Sequence, residues 1–239
     1  MPANPRTALL DLIATLSFKL GDFTLASGQR SDYYIDCRTT TLHAEGGRLA
    51  GLVFYDLIRQ HIPHAVAVGG LTMGADPLVS NTASASAWAL ADYHEILALS
   101  AALQRDDPAF SDPDPGPEPT LIHGFLVRKA EKTHGTGRRI EGFLHSGAPV
   151  IIVDDVCTTG GSTITAIEAT REAGMIVAGV LCLVDREQGG RLAIERALAE
   201  VPSDLDTQAP SVLDSDQEVP FLSVFTATDI RRAHLALKI

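Results

Sequence analysis

The stretch MIVAGVLCLVD (175–185) contains no polar residue before its final aspartate. It is far shorter than the roughly 20 apolar residues that a membrane span needs. It also lacks the apolar–polar alternation of a strand with one face in water. A strand of this kind is covered on both faces, as in a parallel sheet held between layers of helix. APVIIV (148–153) reads the same way, and residues 161–173 between the two read as a helix ending at Gly174. Further strands are expected at AVAVGG (65–70), LIHGFLV (121–127) and VPFLSVFT (219–226). Helices are expected over 44–60, 78–104 and 190–200, with a short one at the C-terminus. Apolar β runs alternating with helices predict an α/β fold on a mainly parallel, doubly wound sheet. A length of 239 residues with no internal repeat suits one such domain.

The N-terminal part differs in texture. Residues 8–20 carry apolar positions at helical spacing and stop at Gly21. FTLASGQRSDYYIDCR (23–38) alternates and then turns, with Ser27-Gly28 as the hairpin turn, so a small subdomain is expected there. DDPAFSDPDPGPEP (106–119), rich in Pro and Asp and without a positive charge, reads as an exposed insertion. LIHGFLV is followed by the polar loop RKAEKTHGTGRRIEG, and a second acidic stretch covers 203–218.

A formal net charge of -11 argues against non-specific nucleic-acid binding, which needs a basic surface. It leaves a phosphate substrate open, because a site needs only local positive charge. Cys37, Cys157 and Cys182 are scattered and odd in number, which fits neither a disulfide framework nor a metal site. With no signal peptide or membrane-length apolar run, a soluble protein of the reducing cytoplasm is expected.

VIIVDDVCTTGGST (150–163) places two carboxylates, Asp154 and Asp155, at the end of a buried run. In a parallel sheet, ligands sit beyond the carboxyl ends of the strands. The backbone amides of Thr158, Thr159, Gly160, Gly161 and Ser162 then lead into a helix N-terminus, a favourable seat for phosphate. The glycines allow a tight turn, and hydroxyls up to Thr163 add donors. No lysine follows the glycines, so this is not a Walker loop. The acids can accept hydrogen bonds from vicinal ribose hydroxyls, directly or through Mg²⁺. Cys157 invites a nucleophile reading, because a helix N-terminus can depress a thiol pKa, but a small apolar filler suffices there. Between 128 and 139, Arg128, Lys129, Lys132, Arg138 and Arg139 face the single acid Glu131. That cationic loop could close over a phosphate-bearing ligand and exclude water.

VIIVDDVCTTGGST resembles the phosphoribosyl pyrophosphate motif of the type I phosphoribosyltransferases. FTLASGQRSDYYIDCR, VRKAEKTHGTG and VDREQGG resemble, in order, the N-terminal hairpin, the mobile catalytic loop and an orotate-contacting segment of the orotate phosphoribosyltransferases. The resemblance spans roughly residues 8–200. It implies the fold of that family, with an N-terminal hood over about 1–40. It also implies Mg²⁺-dependent transfer of ribose 5-phosphate from phosphoribosyl pyrophosphate to orotate, in the making of pyrimidine nucleotides. Carried onto this chain, Lys132, His134, Asp154 and Asp155 would be catalytic. Arg128 and Lys129 would join them on the phosphorylated substrate, with Val156, Cys157 and the 158–162 loop. Tyr33, Tyr34, Thr158 and Arg186 would hold orotate. Mg²⁺ would be held mainly by the substrate, with Asp154 or Asp155 reaching it through water. The family's loop, here about 129–140, serves the neighbouring subunit's site, which implies a homodimer.

Two lysines that many family members carry for the phosphorylated substrate are missing: Ala26 and Thr72-Met73 stand at those positions. Either the other cations suffice, or Arg30 or Arg38 substitutes. The backbone of Gly69 to Gly74 remains available as a pyrophosphate cradle. A phosphoribosyltransferase for another base and a non-catalytic sensor of phosphoribosyl pyrophosphate are the rival readings; the Lys132, His134 and Gly135 segment favours an enzyme.

Overall fold

The computed structural model describes residues 4–24, 30–106, 114–129, 139–200 and 219–237. Helix α1 (Pro5–Leu12) opens with Asn4, whose side chain accepts from the Arg6 N–H, and with proline at the first helical position. The helix expected to reach residue 20 stops earlier. It passes through one π-helical turn, Ile13–Ser17, into strand β1 (Phe18–Thr24). Tertiary contacts override the local helical spacing here. The Ser17 hydroxyl bonds those of Thr39 and Thr40, at 2.8 and 2.6 Å, and Phe18 stacks on Tyr33. Strand β2 (Arg30–Ile35) pairs antiparallel with β1, so the hairpin starts five residues before Phe23. The expected turn at Ser27-Gly28 lies outside the described residues.

Helices α2 (Arg38–Thr41) and α3 (Ala44–His61) lead to β3 (Ala67–Leu71) and to the long α4 (Asp76–Asp106). Residues 107–113 of the expected insertion, and the acidic stretch 203–218, fall outside the described residues. Strand β4 (His123–Val127) follows, then β5 (Ile140–Gly142), which lies in what reads from sequence as plain polar loop. β5 pairs antiparallel with β4, three residues matching three, too short to leave a periodic signal. Strand β6 (Pro149–Cys157) runs four residues beyond the expected Val153, carrying both aspartates within it. Its partner β7 (Ile176–Asp185) is long enough to keep pairing out to Cys157↔Asp185. Helix α5 (Gly161–Glu172) joins these two strands; α6 (Gly190–Ala199), β8 (Phe221–Thr226) and α7 (Ala227–Ala236) complete the order.

The main sheet has order β5-β4-β3-β6-β7-β8, parallel except for β5, while β1 and β2 form a separate two-stranded sheet. Alternate residues of β6 enter different cores. Ile151 and Val153 pack with α1 and α3, whereas Val150 and Ile152 pack with α5 and α6. This is the two-sided burial that an all-apolar strand demands. From β3 the chain winds to β4 on one side, and from β6 to β7 and β8 on the other. The reversal falls between the adjacent strands β3 and β6, where a doubly wound sheet opens a crevice. Among the described residues, no helix is long and apolar enough to cross a membrane.

Candidate functional site

A cavity of about 540 Å³ lies at this switch point. Thr72 to Gly74 after β3, Lys129 after β4, and Asp154, Asp155, Val156, Thr158 and Ser162 along β6 and α5 all line it. Arg186 after β7 and Tyr34, Asp36 and Arg38 from the hairpin side close it.

Asp154 is buried, and its Oδ2 accepts a 2.6 Å hydrogen bond from the Thr163 hydroxyl in the first turn of α5. Burial dominates, so its carboxyl is pushed up to about 7 despite the Thr163 bond that opposes the shift. Asp155 is raised as well, first by desolvation; the Val156 N–H, 3.0 Å from its Oδ1, and the nearby Arg38 charge pull the other way. Gly74 lies against Asp155, and a Cβ there would overlap the carboxylate. The two acids therefore face different walls: Asp154 the α5 side, Asp155 the 72–74 turn.

The turn expected to seat phosphate follows at once. Gly160 is the N-cap of α5 at φ 83°, a left-handed conformation that suits glycine, and no side chain among the described residues caps that helix end. The loop is braced from behind, because the Gly190 N–H donates to the Thr158 carbonyl and the Arg186 N–H to that of Cys157. Thr158 and Ser162 line the cavity. Thr159 and Gly161 are exposed at its edge, and Gly160 is buried. The Cys157 thiol is buried in the core with α5 and α6, which leaves that residue its backbone for any ligand.

The tyrosine pair divides. Successive strand residues point to opposite faces. Tyr34 lines the cavity, while Tyr33 stacks on Phe18 at 5.5 Å and lies beneath the Arg186 guanidinium, 4.9 Å from its centroid. Arg186 is buried, yet its Nε and Nη2 have no hydrogen-bond partner in the described structure. The turn that carries it is pinned: Glu187, at φ 60°, accepts from both the backbone and the hydroxyl of Thr228.

Arg128 forms a 3.4 Å ion pair with Glu141 of β5. Lys129 reaches the cavity, whereas Lys132 and His134 lie outside the described residues. Among residues not singled out for substrate, Asp36 is the notable addition. Its signal in sequence is weak, an acid two positions before Arg38 at the end of a strand. The sequence left Arg30 and Arg38 open as replacement cations, and the structure separates them. Arg30 pairs with Asp22 out on the hairpin, and Arg38 lines the cavity.

No family model matches the chain. The chain is 42% identical over 192 residues to the orotate phosphoribosyltransferase of Thermosynechococcus vestitus, covering 80% of this chain and 85% of the relative. The orotate phosphoribosyltransferase of Mycobacterium tuberculosis in complex with Fe(III) dicitrate superposes with a TM-score of 0.65 at 30% identity, over 95% of this chain and 99% of the other. The same enzyme in complex with 5-phospho-α-D-ribosyl 1-diphosphate gives 0.60 at 28% identity, over 95% and 99%. By sequence, by sheet order and by the cavity at its switch point, the chain belongs to the orotate phosphoribosyltransferase family of pentosyltransferases.

Proposed function

We propose that this chain carries out the family's reaction in the switch-point cavity, transferring ribose 5-phosphate from phosphoribosyl pyrophosphate to N1 of orotate. The products are orotidine 5′-monophosphate and pyrophosphate. The observation that carries the reading is Arg186, a buried guanidinium with two nitrogens unpartnered among the described residues, in the same cavity as two acids and an open helix N-terminus. An unsatisfied buried charge is costly. A planar carboxylate such as that of orotate supplies the missing acceptors in matching geometry.

With orotate on Arg186 and Tyr34, the ribose lies over Asp154 and Asp155 and its 5′-phosphate sits at Thr158 to Ser162. The C1′–oxygen bond to pyrophosphate lengthens ahead of the new bond to N1, so positive charge grows on the ribose ring. Two carboxylates beneath it favour that charge, provided that they are ionised. Lys129 and Arg128, with Lys132 and His134, stabilise the departing pyrophosphate.

The donor set fits Mg²⁺, which takes one or two carboxylates and fills its remaining positions with substrate phosphates and water. The substrate would hold most of the ion, Asp154 or Asp155 would reach it through water, and it would neutralise the pyrophosphate charge. A homodimer sharing the loop of about 129–140 is part of this proposal, on family resemblance. So is a cytoplasmic setting, supported by three free, buried cysteines. The test is a steady-state assay of orotate absorbance with phosphoribosyl pyrophosphate and Mg²⁺, with uracil, hypoxanthine and adenine as competitors for the role of base. Consumption of orotate alone supports the reading, and no turnover of orotate removes it.

A further inference from the structure

Among the described residues, the 72–74 wall of the cavity has no cation of its own. Met73 is 68% exposed and uncharged, and Thr72 and Gly74 offer only hydroxyl and backbone groups. Among the described lining residues the cations are Arg38, Lys129 and Arg186. Arg186, over the Tyr33 ring, is taken by orotate in the reaction proposed above, and Lys129 lies beyond the end of β4. Arg38 is the one whose charge is felt at Asp155, the acid that touches Gly74. Its Nε and Nη2 each bond Asp36 at 2.9 Å, and its own N–H bonds Asp36 Oδ1 at 3.1 Å. The pairing uses one edge of a guanidinium with five N–H donors and holds the plane of the head group at the cavity mouth. Arg38 is half-exposed, so a ligand can reach its other edge.

Resting on the reaction proposed above, we infer that Arg38, oriented by Asp36, is the side chain that binds the pyrophosphate half of the sugar donor on the 72–74 wall. It supplies there the charge that the wall lacks. Arg30, on the same hairpin side, does not share the role, because it pairs with Asp22 away from the cavity.

Equilibrium binding of inorganic pyrophosphate and of ribose 5-phosphate, each with Mg²⁺, tests this on the full chain. Arg38→Ala weakens pyrophosphate about 10- to 100-fold, the range of a charge-assisted bond. Ribose 5-phosphate, which lacks that half, stays within about twofold, showing that the protein is folded. Arg38→Lys recovers part of the loss, Arg30→Ala matches the parent, and KM for phosphoribosyl pyrophosphate follows the pyrophosphate affinities. Equal losses for both ligands, unchanged pyrophosphate binding in Arg38→Ala, or a loss confined to Arg30→Ala would each overturn the inference. A parent protein that consumes orotate while Arg38→Ala binds pyrophosphate normally removes this inference alone. A parent that never consumes orotate removes the proposed reaction instead.

Discussion

Asp154 and Arg186 stand near the carboxyl ends of adjacent strands, both buried, and they meet the cost of burial in opposite ways. The acid relieves its charge by protonation, with its carboxyl raised to about 7 and one oxygen held by Thr163. The Arg186 guanidinium lies over Tyr33 with two nitrogens that have no partner among the described residues. One side of the cavity is therefore set by pH, while the other is cationic and waits for an anion. A ligand bringing an anionic ring at one end and hydroxyls with metal-bound phosphates at the other stabilises both at once.

The sharpest way to break this contrast is Asp154→Asn, which keeps the shape and the Thr163 contact but can never ionise. It should lower kcat/KM about 10²- to 10³-fold, the scale of a lost group that stabilises transition-state charge. A drop under threefold in a steady-state assay would remove Asp154 from the chemistry. Arg186→Met attacks the other side. KM for orotate should rise about 10- to 100-fold with KM for phosphoribosyl pyrophosphate little changed. The ligand-free protein should also gain about 1–3 kcal/mol, because an unsatisfied buried group has gone. Denaturant titration measures that gain, and a destabilised variant would show that the guanidinium is satisfied after all.

The pH response separates the two sides further. The Asp154 carboxyl binds its proton more tightly folded than unfolded, where it titrates near the ordinary value of 3.8. Over the window from that value to about 7, the folded state holds more protons, so this group's contribution to stability falls as pH rises. Activity moves the other way, since kcat/KM should climb as the carboxylate forms. Thr163→Val, which removes a bond that lowers this carboxyl, should push the activity profile to higher pH; a profile that stays put would contradict the assignment. Tyr33→Leu is the mildest change. It removes the ring under Arg186 and should raise KM for orotate a few-fold, the scale of a partly buried cation–π contact. The same substitution should leave KM for phosphoribosyl pyrophosphate alone.

Much of the site was legible because its parts are local. The acids, glycines and hydroxyls of 154–163 follow one another on a strand, a turn and a helix start, so neighbours in sequence are neighbours in the cavity. Arg186 is carried by the resemblance of VDREQGG to the family's orotate-contacting segment; its own place after an apolar run suits an ion-paired strand end equally well. What could not be read is whatever depends on distant partners. The stop of α1 at Leu12 depends on hydroxyls from Thr39 and Thr40, and β5 exists only as an addition to β4. The different duties of Tyr33 and Tyr34 need a direction as well as an alternation. The period says that they oppose each other, and only the Phe18 and Arg186 contacts show which faces which.

By itself the sequence determined the layered α/β architecture, since an all-apolar strand has no other stable place in water. It also determined the glycine- and hydroxyl-rich turn of 158–162, whose chemistry is contained in consecutive residues. The tertiary structure alone decided that β3 and β6 are neighbours, which brings the 72–74 wall against Asp155 and makes one cavity of two loops. It also decided that Arg38 rather than Arg30 stands there. Strand order and the partner of a surface arginine are set by long-range packing, to which hydrophobic periodicity is blind.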